Sequence, residues 1–245
     1  NTAATFNAAM CFYQEGTLHD FTKAFELFMK TANCGCDEAM FKVGQCFDNG
    51  EGVEKDVSKA FEWYLKSAEK GNADAMNCVG WCFDYGEGVT QDKAKAFRWY
   101  LKSAEKGNAK AMNCVGYCYE NGDGVTQDKT KAFEWWLKSA QKGDPNAMHN
   151  VGVCYDKGEG VTLDKAKAFQ WYLKAAEKGH VGAMYNVGVC YYKGEGTAQS
   201  YTKAFEWFWK AANGGNALAM CCVGVCYGKG EGVTQDITKA FEWFL

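Results

Sequence analysis

The sequence predicts an all-α fold, a right-handed superhelical α-solenoid of about seven helix-turn-helix repeats, each of 36 residues. The first observation is a Val-Gly pair that recurs at a strict spacing, at 43/44, 79/80, 115/116, 151/152, 187/188 and 223/224. The second is composition, because 28 glycines and one proline suit helices joined by glycine-marked turns. The third is that apolar residues within each repeat follow a helical and not an alternating spacing.

The period sets the organisation of the chain. A fixed spacing in this range is typical of a stacked array in which each repeat contacts its neighbours. We place the repeats at 1–35, 36–71, 72–107, 108–143, 144–179, 180–215 and 216–245, with Ala8 and Ala9 at the Val-Gly position of the first. Because no shift in composition divides the chain, the sequence predicts a single domain over 1–245.

The first half of each repeat predicts a helix, called helix A. In the third repeat its apolar or small residues are Ala73, Met76, Val79, Gly80 and Phe83. Asn72 is positioned as the N-cap, and Gly86 ends the helix because a residue without Cβ adopts the left-handed conformation readily. The fifth repeat has a stronger start at Asp144 and Pro145, since proline fits the first helical position.

The second half predicts helix B, which Asp92 caps in the third repeat and Gly107 ends. In the second repeat a charged stripe is formed by Lys59, Glu62, Lys66, Glu69 and Lys70, and all other sides hold Ala60, Phe61, Trp63, Tyr64, Leu65 and Ala68. An apolar arc of roughly 200° is too wide for one partner helix. Helix B is therefore expected to pack on both sides, on its own helix A and on the next repeat.

These segments resemble a known family. The series AMxxVGxC, followed by an aromatic residue, GxGVxxD and KAFxW, is similar to the Sel-one-like repeat, a relative of the tetratricopeptide repeat. The resemblance covers essentially the whole chain and implies a non-enzymatic adaptor or scaffold that binds other proteins. Two repeats depart from the pattern: the first reads EGTLHDF and the sixth reads GEGTAQSY, where Ser200 can still cap helix B.

Several motifs have the composition of chemical sites, and each has a structural interpretation that we prefer. The recurring G-x-G, as at Gly86 and Gly88, follows a helix and not a strand, so it indicates a turn and not a nucleotide loop. The histidines, His19, His149 and His180, lie at non-equivalent positions of three repeats. Pairs such as Glu62–Lys66, Glu134–Lys138 and Glu206–Lys210 have the spacing of helical ion pairs. We expect no enzyme, no cofactor and no metal site.

The chain has thirteen cysteines. Seven hold one position of helix A, before an aromatic residue: Cys11, Cys46, Cys82, Cys118, Cys154, Cys190 and Cys226. Stacked helices lie about 8–10 Å apart and a disulfide needs Cα atoms within about 7 Å, so these seven are expected to be reduced, small buried residues. A disulfide at Cys34, Cys36, Cys78, Cys114, Cys221 or Cys222 is left open. A cysteine-rich bacterial branch of the resembled family staples its repeats, and only Cys34 has a matching place here.

Charge and hydropathy narrow the partners. The formal net charge is −3 with both signs interspersed, which argues against a nucleic-acid surface. No apolar run approaches the roughly 20 residues that span a bilayer. Free thiols favour a reducing compartment such as the cytoplasm, whereas a start at Asn1 without methionine favours a processed extracellular protein, so the sequence leaves the localisation open.

Two surfaces are candidate interfaces. An apolar row borders the charged stripe of helix B and comprises Leu65, Leu101, Leu137, Leu173, Trp209 and Leu245. A candidate end-to-end contact comprises Phe6, Met10 and Phe12 with Phe241, Trp243 and Phe244, because neither terminal repeat has a polar outer face. The lack of polar ends is equally explained if residues 1–245 are an excerpt of a longer array. The first function hypothesis is a protein-binding scaffold. The alternative is a structural protein that assembles head to tail into a filament, and a weaker third is a divergent hydrolase or redox protein.

Overall fold

The computed structural model describes residues 2–14 and 20–245, and these residues form fourteen α-helices and no strand. The chain forms two compact units, Asn1–Gln127 and Asp128–Leu245, called here the N-terminal and C-terminal units. The N-terminal unit contains α1 (Thr2–Tyr13), α2 (Phe21–Asn33), α3 (Asp37–Asn49), α4 (Val57–Glu69), α5 (Ala73–Tyr85), α6 (Lys93–Glu105) and α7 (Ala109–Asn121). The C-terminal unit contains α8 (Lys129–Gln141), α9 (Pro145–Lys157), α10 (Lys165–Glu177), α11 (Val181–Lys193), α12 (Tyr201–Asn213), α13 (Ala217–Lys229) and α14 (Ile237–Phe244). Odd-numbered helices are helix A of a repeat and even-numbered helices are helix B, so the predicted all-α class of seven repeats is confirmed.

The helix ends lie where the sequence predicts them. The Asn72 side chain accepts a hydrogen bond from the Ala75 backbone N–H at 2.9 Å, and Gly86 ends α5 in the left-handed conformation at φ +76°. The N-caps Asp92 and Ser200 begin α6 and α12. Local side-chain chemistry therefore sets the helix boundaries, including that of the atypical sixth repeat.

Helix B is packed on both sides, as expected. In the N-terminal unit the Tyr64 ring packs against Gly44 of its own repeat, and Phe61 meets Phe83 of the next repeat edge to face, with ring centroids 5.4 Å apart. The C-terminal unit repeats the second contact between Phe169 and Tyr191. Edge-to-face rings stabilise beyond the area that they bury. This aromatic pair therefore joins each repeat to its successor inside either unit.

The glycine of the Val-Gly pair is required by close packing and not by a turn. A Cβ added at Gly80 would lie 2.6 Å from Cδ1 of the buried Tyr100 ring, and one at Gly188 would lie 2.6 Å from Cδ1 of the Phe208 ring. Neither ring is free to move away, because both residues are buried. The glycine lets the helix-B ring lie directly on the helix-A backbone, which explains why the pair recurs in the second to the seventh repeats.

The G-x-G segments are turns, as interpreted from the sequence. Gly86 and Gly88 both have positive φ, at +76° and +71°. A Cβ at Gly88 would collide with the backbone carbonyl of Val57, the first residue of the preceding helix B. The second glycine therefore brings the loop of one repeat onto the helix-B start of the repeat before it. The atypical first loop, and His19 within it, lie outside the described residues.

The prediction of ion pairs along the charged stripe of helix B is wrong. In the described part of the chain no ion pair joins Glu62 to Lys66, and Lys66 Nζ lies 4.3 Å from the Trp63 ring centroid instead. The same contact recurs at Lys138 over Trp135 and Lys210 over Trp207, where the pairs with Glu134 and Glu206 are likewise absent among the described residues. The sequence spacing fits either partner, and the lysine covers the indole three residues before it.

Candidate functional site

Among the described residues, grooves lie between helix A of one repeat and helix A of the next, and three of them have a helix-B ring at their base. The first groove, between α3 and α5, encloses about 150 Å³ and is lined by Asp48, Val57, Tyr64, Asn77, Trp81 and Glu87. The second groove, between α5 and α7, encloses about 360 Å³ and is lined by Trp81, Asp84, Lys93, Tyr100, Tyr117 and Asp123. Both belong to the N-terminal unit and share Trp81.

The third groove belongs to the C-terminal unit. It lies between α11 and α13, encloses about 260 Å³ and is lined by Tyr185, Val189, Tyr192, Phe208, Cys222 and Val225. Its floor, Phe208, holds the repeat position that Tyr64 and Tyr100 hold in the other two grooves. The groove is thus a repeated feature whose walls vary with the residues that helix A presents.

Exposed aromatic side chains border the first two grooves. Trp81, Tyr85 and Tyr117 are 46%, 56% and 43% exposed. The Trp81 and Tyr85 rings lie 4.0 Å apart, and Trp81 Nε1 donates a hydrogen bond to Glu87 Oε2 at 3.3 Å. Contiguous exposed apolar surface of this kind marks an interaction site more often than single residues do. We call these three residues the aromatic cluster.

Sequence reasoning missed the aromatic cluster. Its signal was present at the variable position of V-G-x-C, which holds Trp81 and Tyr117 in the third and fourth repeats but Gln45 and Val189 elsewhere. This position lies outside the apolar face of helix A. The repeat pattern therefore provides no buried residue against which a large aromatic side chain could pack. A search for apolar residues off the buried face would have found it.

The structure places the predicted helix-B row partly inside the fold. Leu65, Leu101, Leu137 and Leu173 are half-buried, whereas Trp209 and Leu245 are exposed. The Trp209 ring meets the Trp243 ring at a centroid distance of 5.1 Å. The first two leucines belong to the N-terminal unit, and the other four residues of the row belong to the C-terminal unit.

The candidate end-to-end residues are divided in the same way between half-buried and exposed. The half-buried ones are Phe6, Met10, Phe12 and Trp243, and the exposed ones are Phe241 and Phe244. The Phe244 ring packs on Gly224 as the floor rings do in other repeats, although one side of it remains open.

Six of the seven helix-A cysteines are buried, as predicted, and Cys11 is the exception because it is exposed. Burial is also the main reason that the pKa of Cys82 is raised to about 12 and that of Cys190 to about 11. Thiols of this kind are poor nucleophiles at neutral pH. No disulfide joins any of the thirteen cysteines, all of which lie in the described residues.

Two histidines that the sequence separates lie together in the C-terminal unit. The rings of His149 and His180 stack with centroids 4.5 Å apart, and Nδ1 of His180 accepts the Ala183 backbone N–H as the N-cap of α11. Burial, reinforced by the neighbouring His180, lowers the pKa of His149 to about 4. In residues 2–14 and 20–245, no group of three or more His, Cys, Asp or Glu side chains has the arrangement of a metal site.

The fold and the grooves define a tandem helical-repeat protein. The family model of the Sel1 repeat matches residues 2–36, 37–72, 73–108, 109–144, 145–180, 181–216 and 217–245, each about one residue later than the predicted repeats. The chain therefore belongs to the Sel1 repeat family, which the sequence resemblance implied.

Solved structures agree with this assignment. A protective antigen present in uropathogenic Escherichia coli strains, which displays an SLR fold, is 33% identical with a TM-score of 0.90, and the match covers 100% of this chain and 52% of that chain. A Sel1 repeat protein from Oxalobacter formigenes is 30% identical with a TM-score of 0.87, covering 98% of this chain and 95% of that one. An immunity protein from Pseudomonas aeruginosa shares the fold alone, at 19% identity and a TM-score of 0.56, with 86% of this chain and 81% of that chain covered. No curated protein sequence matches the chain.

Sel1 repeat proteins generally act as non-enzymatic scaffolds for protein–protein interaction. Among the described residues, no helix is both long enough and apolar enough to span a membrane.

Proposed function

We propose that this chain is a protein-interaction scaffold that holds a segment of a partner protein in the first and second grooves of the N-terminal unit. The single observation that carries the proposal is the aromatic cluster at the border of these grooves, with Trp81 shared between them. Rigid helices present the rings, so little conformational entropy is lost when a partner covers them.

The chemistry of the grooves supports recognition and not catalysis. Aromatic residues dominate binding energy at protein interfaces, and the polar groups between them here, Asp84, Asn113 and Asn121, supply hydrogen-bond partners. The buried thiols have raised pKa values, which opposes the divergent redox function considered above.

The helix-B row is a competing surface within the same function. Leu65 and Leu101 stay candidate contacts, and so do Leu137, Leu173, Trp209 and Leu245. Leu65, Leu101, Leu137 and Leu173 are half-buried, and in this row Trp209 and Leu245 alone are exposed. Every residue of the aromatic cluster, in contrast, is exposed to a partner. We therefore place the main contact on helix A.

The test is a selection of phage-displayed random peptides on the whole chain, followed by affinity measurements with the enriched peptides. Trp81→Ala and Tyr117→Ala are each expected to weaken binding about thirtyfold, the effect of an interface hot spot. Leu163→Ala, which removes an exposed side chain from a turn of the C-terminal unit, is the matched control and should leave binding unchanged.

Other outcomes distinguish the alternatives. A loss of binding in Leu65→Ala and Leu101→Ala, with Trp81→Ala unaffected, would move the interface to the helix-B row. Light scattering on the same samples addresses the filament alternative. Concentration-dependent growth that Phe241→Ala and Phe244→Ala abolish would favour head-to-tail assembly over the scaffold.

A further inference from the structure

The first residue of helix B has a repeated electrostatic role. In α6 it is Lys93, whose Nζ lies 2.6 Å from Asp84 of its own repeat and 3.9 Å from Asp123 of the next. In α10 it is Lys165, whose Nζ lies 2.8 Å from Asp156 and 3.3 Å from Glu195. In these repeats a lysine of the chain itself thus neutralises a pair of carboxylates at the groove between two helix-A segments.

The first groove has the carboxylates without the lysine. Asp48 and Glu87 hold the positions of Asp84 and Asp123, but Val57 stands where Lys93 stands one repeat later. No basic side chain lines the groove among the described residues. Within residues 2–14 and 20–245, Asp48 accepts one hydrogen bond, from the Tyr64 hydroxyl at 3.2 Å, and Glu87 accepts one from the Trp81 indole N–H at 3.3 Å.

The same groove contains a further unused acceptor. Asn77 Oδ1 is buried and is without a hydrogen-bond partner in the described part of the chain. A buried polar atom left unpaired destabilises the fold, so a donor that reaches it is favoured. The groove therefore offers two carboxylates, an amide oxygen and the Trp81 indole, which together are the partners of a cationic group that carries several N–H donors.

Of the three grooves described above, the third also has no lysine at this position, and it balances its charge differently. In the sixth repeat Tyr192 replaces the helix-A carboxylate and Tyr201 replaces the lysine. The Tyr192 hydroxyl donates to Glu231 Oε2 at 2.7 Å, and Lys229 Nζ lies 3.9 Å from the same carboxylate. One acidic group and two donors remain there, so the third groove needs no external cation.

The geometry points to the first groove as a socket for a basic side chain, lysine or arginine, of the partner protein, placed where Lys93 and Lys165 place their own ammonium groups. This inference rests on the proposed scaffold function and names the chemistry of the partner. An ammonium or guanidinium group here would pair with Asp48 and Glu87, donate to Asn77 Oδ1 and lie beside the Trp81 indole.

The electrostatics of the groove agree with a cationic occupant. Burial, together with the charges of Asp48 and Glu87, raises the pKa of Cys82 to about 12. Burial, Cys82 and Asp48 also raise the pKa of Cys78, and Lys110 lowers it. The N-terminal unit as a whole holds 18 acidic and 13 basic residues, which attracts a basic segment at long range.

The first experiment asks whether the groove holds a cation at all. Val57→Lys supplies the lysine that the next repeat already has, and Ser58→Lys adds the same charge at the neighbouring exposed position. Val57→Lys is expected to raise the melting temperature of the whole chain by about 2 °C relative to Ser58→Lys, the effect of a partly buried ion pair. Equal melting temperatures would overturn the inference without any reference to a partner.

The second experiment uses the phage-displayed random peptides. Peptides enriched on the wild-type chain are expected to share a lysine or arginine, and its replacement by norleucine should weaken binding about tenfold. Val57→Lys, which fills the socket, and Asp48→Asn, which removes a charge, should each weaken binding by a similar factor. Ser58→Lys should not.

The outcomes separate this inference from the proposed function. Peptides that bind Val57→Lys as tightly as the wild-type chain, or that share acidic residues, would overturn the basic-side-chain socket while the scaffold function stands. A wild-type chain that enriches no peptide would contradict the scaffold function, and the melting temperatures would then decide whether the carboxylates form a cation site.

Discussion

In the N-terminal unit the position of helix A two residues after its buried valine holds the exposed Trp81 and Tyr117, and in the C-terminal unit it holds the half-buried Val189 and the exposed Val225. The last turn of helix A differs as well. It carries Asn49, Tyr85 and Asn121 in the N-terminal unit, and Lys157, Lys193 and Lys229 in the C-terminal unit, where lysines interact favourably with the helix dipole.

The buried positions of the two units, in contrast, are nearly identical. Val79 and Val115 correspond to Val187 and Val223, and all four are completely buried. The net charge of the two units differs, as their exposed residues do. Residues 128–245 hold 12 acidic and 14 basic residues, whereas the N-terminal unit has an excess of acidic residues. One packing scheme therefore supports two different surfaces, because the scheme determines only the residues that lie between helices.

Substitution of the Val-Gly glycine in each unit tests whether the two units share the packing scheme, and we expect this substitution to have the greatest effect on stability. Gly80→Ala and Gly188→Ala place a methyl group against the Tyr100 and Phe208 rings, and each should lower the free energy of unfolding by about 3 kcal/mol. Urea denaturation followed by circular dichroism measures both. A substantial loss at Gly80 with none at Gly188 would break the equivalence of the two units.

Gly228→Ala is the matched control for these substitutions. This glycine lies inside α13, where an added Cβ would meet only the Ala240 Cβ at 3.8 Å. Without a clash, the higher helix propensity of alanine should raise the free energy of unfolding by about 0.5–1 kcal/mol. The sign of the effect, and not only its size, therefore separates packing from propensity.

The second effect is a pH dependence confined to the C-terminal unit. His149 has a folded pKa of about 4 because it is buried beside His180, whereas an unfolded histidine has a pKa of about 6.5. The unfolded chain therefore binds a proton first, and about 3 kcal/mol of stability present above pH 6.5 is expected to be lost as the pH falls towards 4. Urea midpoints between these pH values measure the loss.

His149→Asn is the control, because Asn77 and Asn113 occupy the same repeat position in the N-terminal unit. The variant should show a smaller loss of stability than the wild-type chain over the same pH range. Identical slopes for the two proteins would place the acid sensitivity elsewhere, for example at the aspartate N-caps, whose pKa values are lowered by hydrogen bonds from backbone N–H groups.

The smallest effect concerns a contact that both units share. Lys66→Gln in the N-terminal unit and Lys174→Gln in the C-terminal unit should each lower the free energy of unfolding by about 0.5 kcal/mol, because the ammonium group leaves the Trp63 or Trp171 ring. Glu62→Gln should have no effect. A double-mutant cycle with Trp63 isolates the interaction, and a coupling to Glu62 instead would restore the ion pair expected from the spacing.

The sequence was sufficient for the features that local chemistry determines. The caps at Asn72 and Asp92, the turn at Gly86 and the burial of the helix-A cysteines follow from residue type and period alone, with Cys11 as the exception. Repetition makes such inferences strong, because each pattern is read several times in one chain.

The grooves could not be predicted in the same way. Their lining comes from three helices of two repeats, so the meaning of Val57 depends on Asp48 and Glu87, which belong to other elements. The stacking of His149 on His180 likewise joins residues at unlike repeat positions. A pattern averaged over repeats hides the residues that differ from it, and these residues form the candidate site.

Edge-to-face aromatic pairs join successive repeats, such as Phe61 with Phe83 and Phe205 with Tyr227. Because the same pair recurs, one 36-residue repeat is structurally interchangeable with another. A 36-residue segment taken between equivalent positions contains one ring of the aromatic pair at each of its ends. Any neighbouring repeat with the same pattern supplies the second ring. The residues proposed to bind a partner, such as Trp81 with Val57, are therefore expected to be transferable along an array by joining repeats in a new order, without redesign of the core.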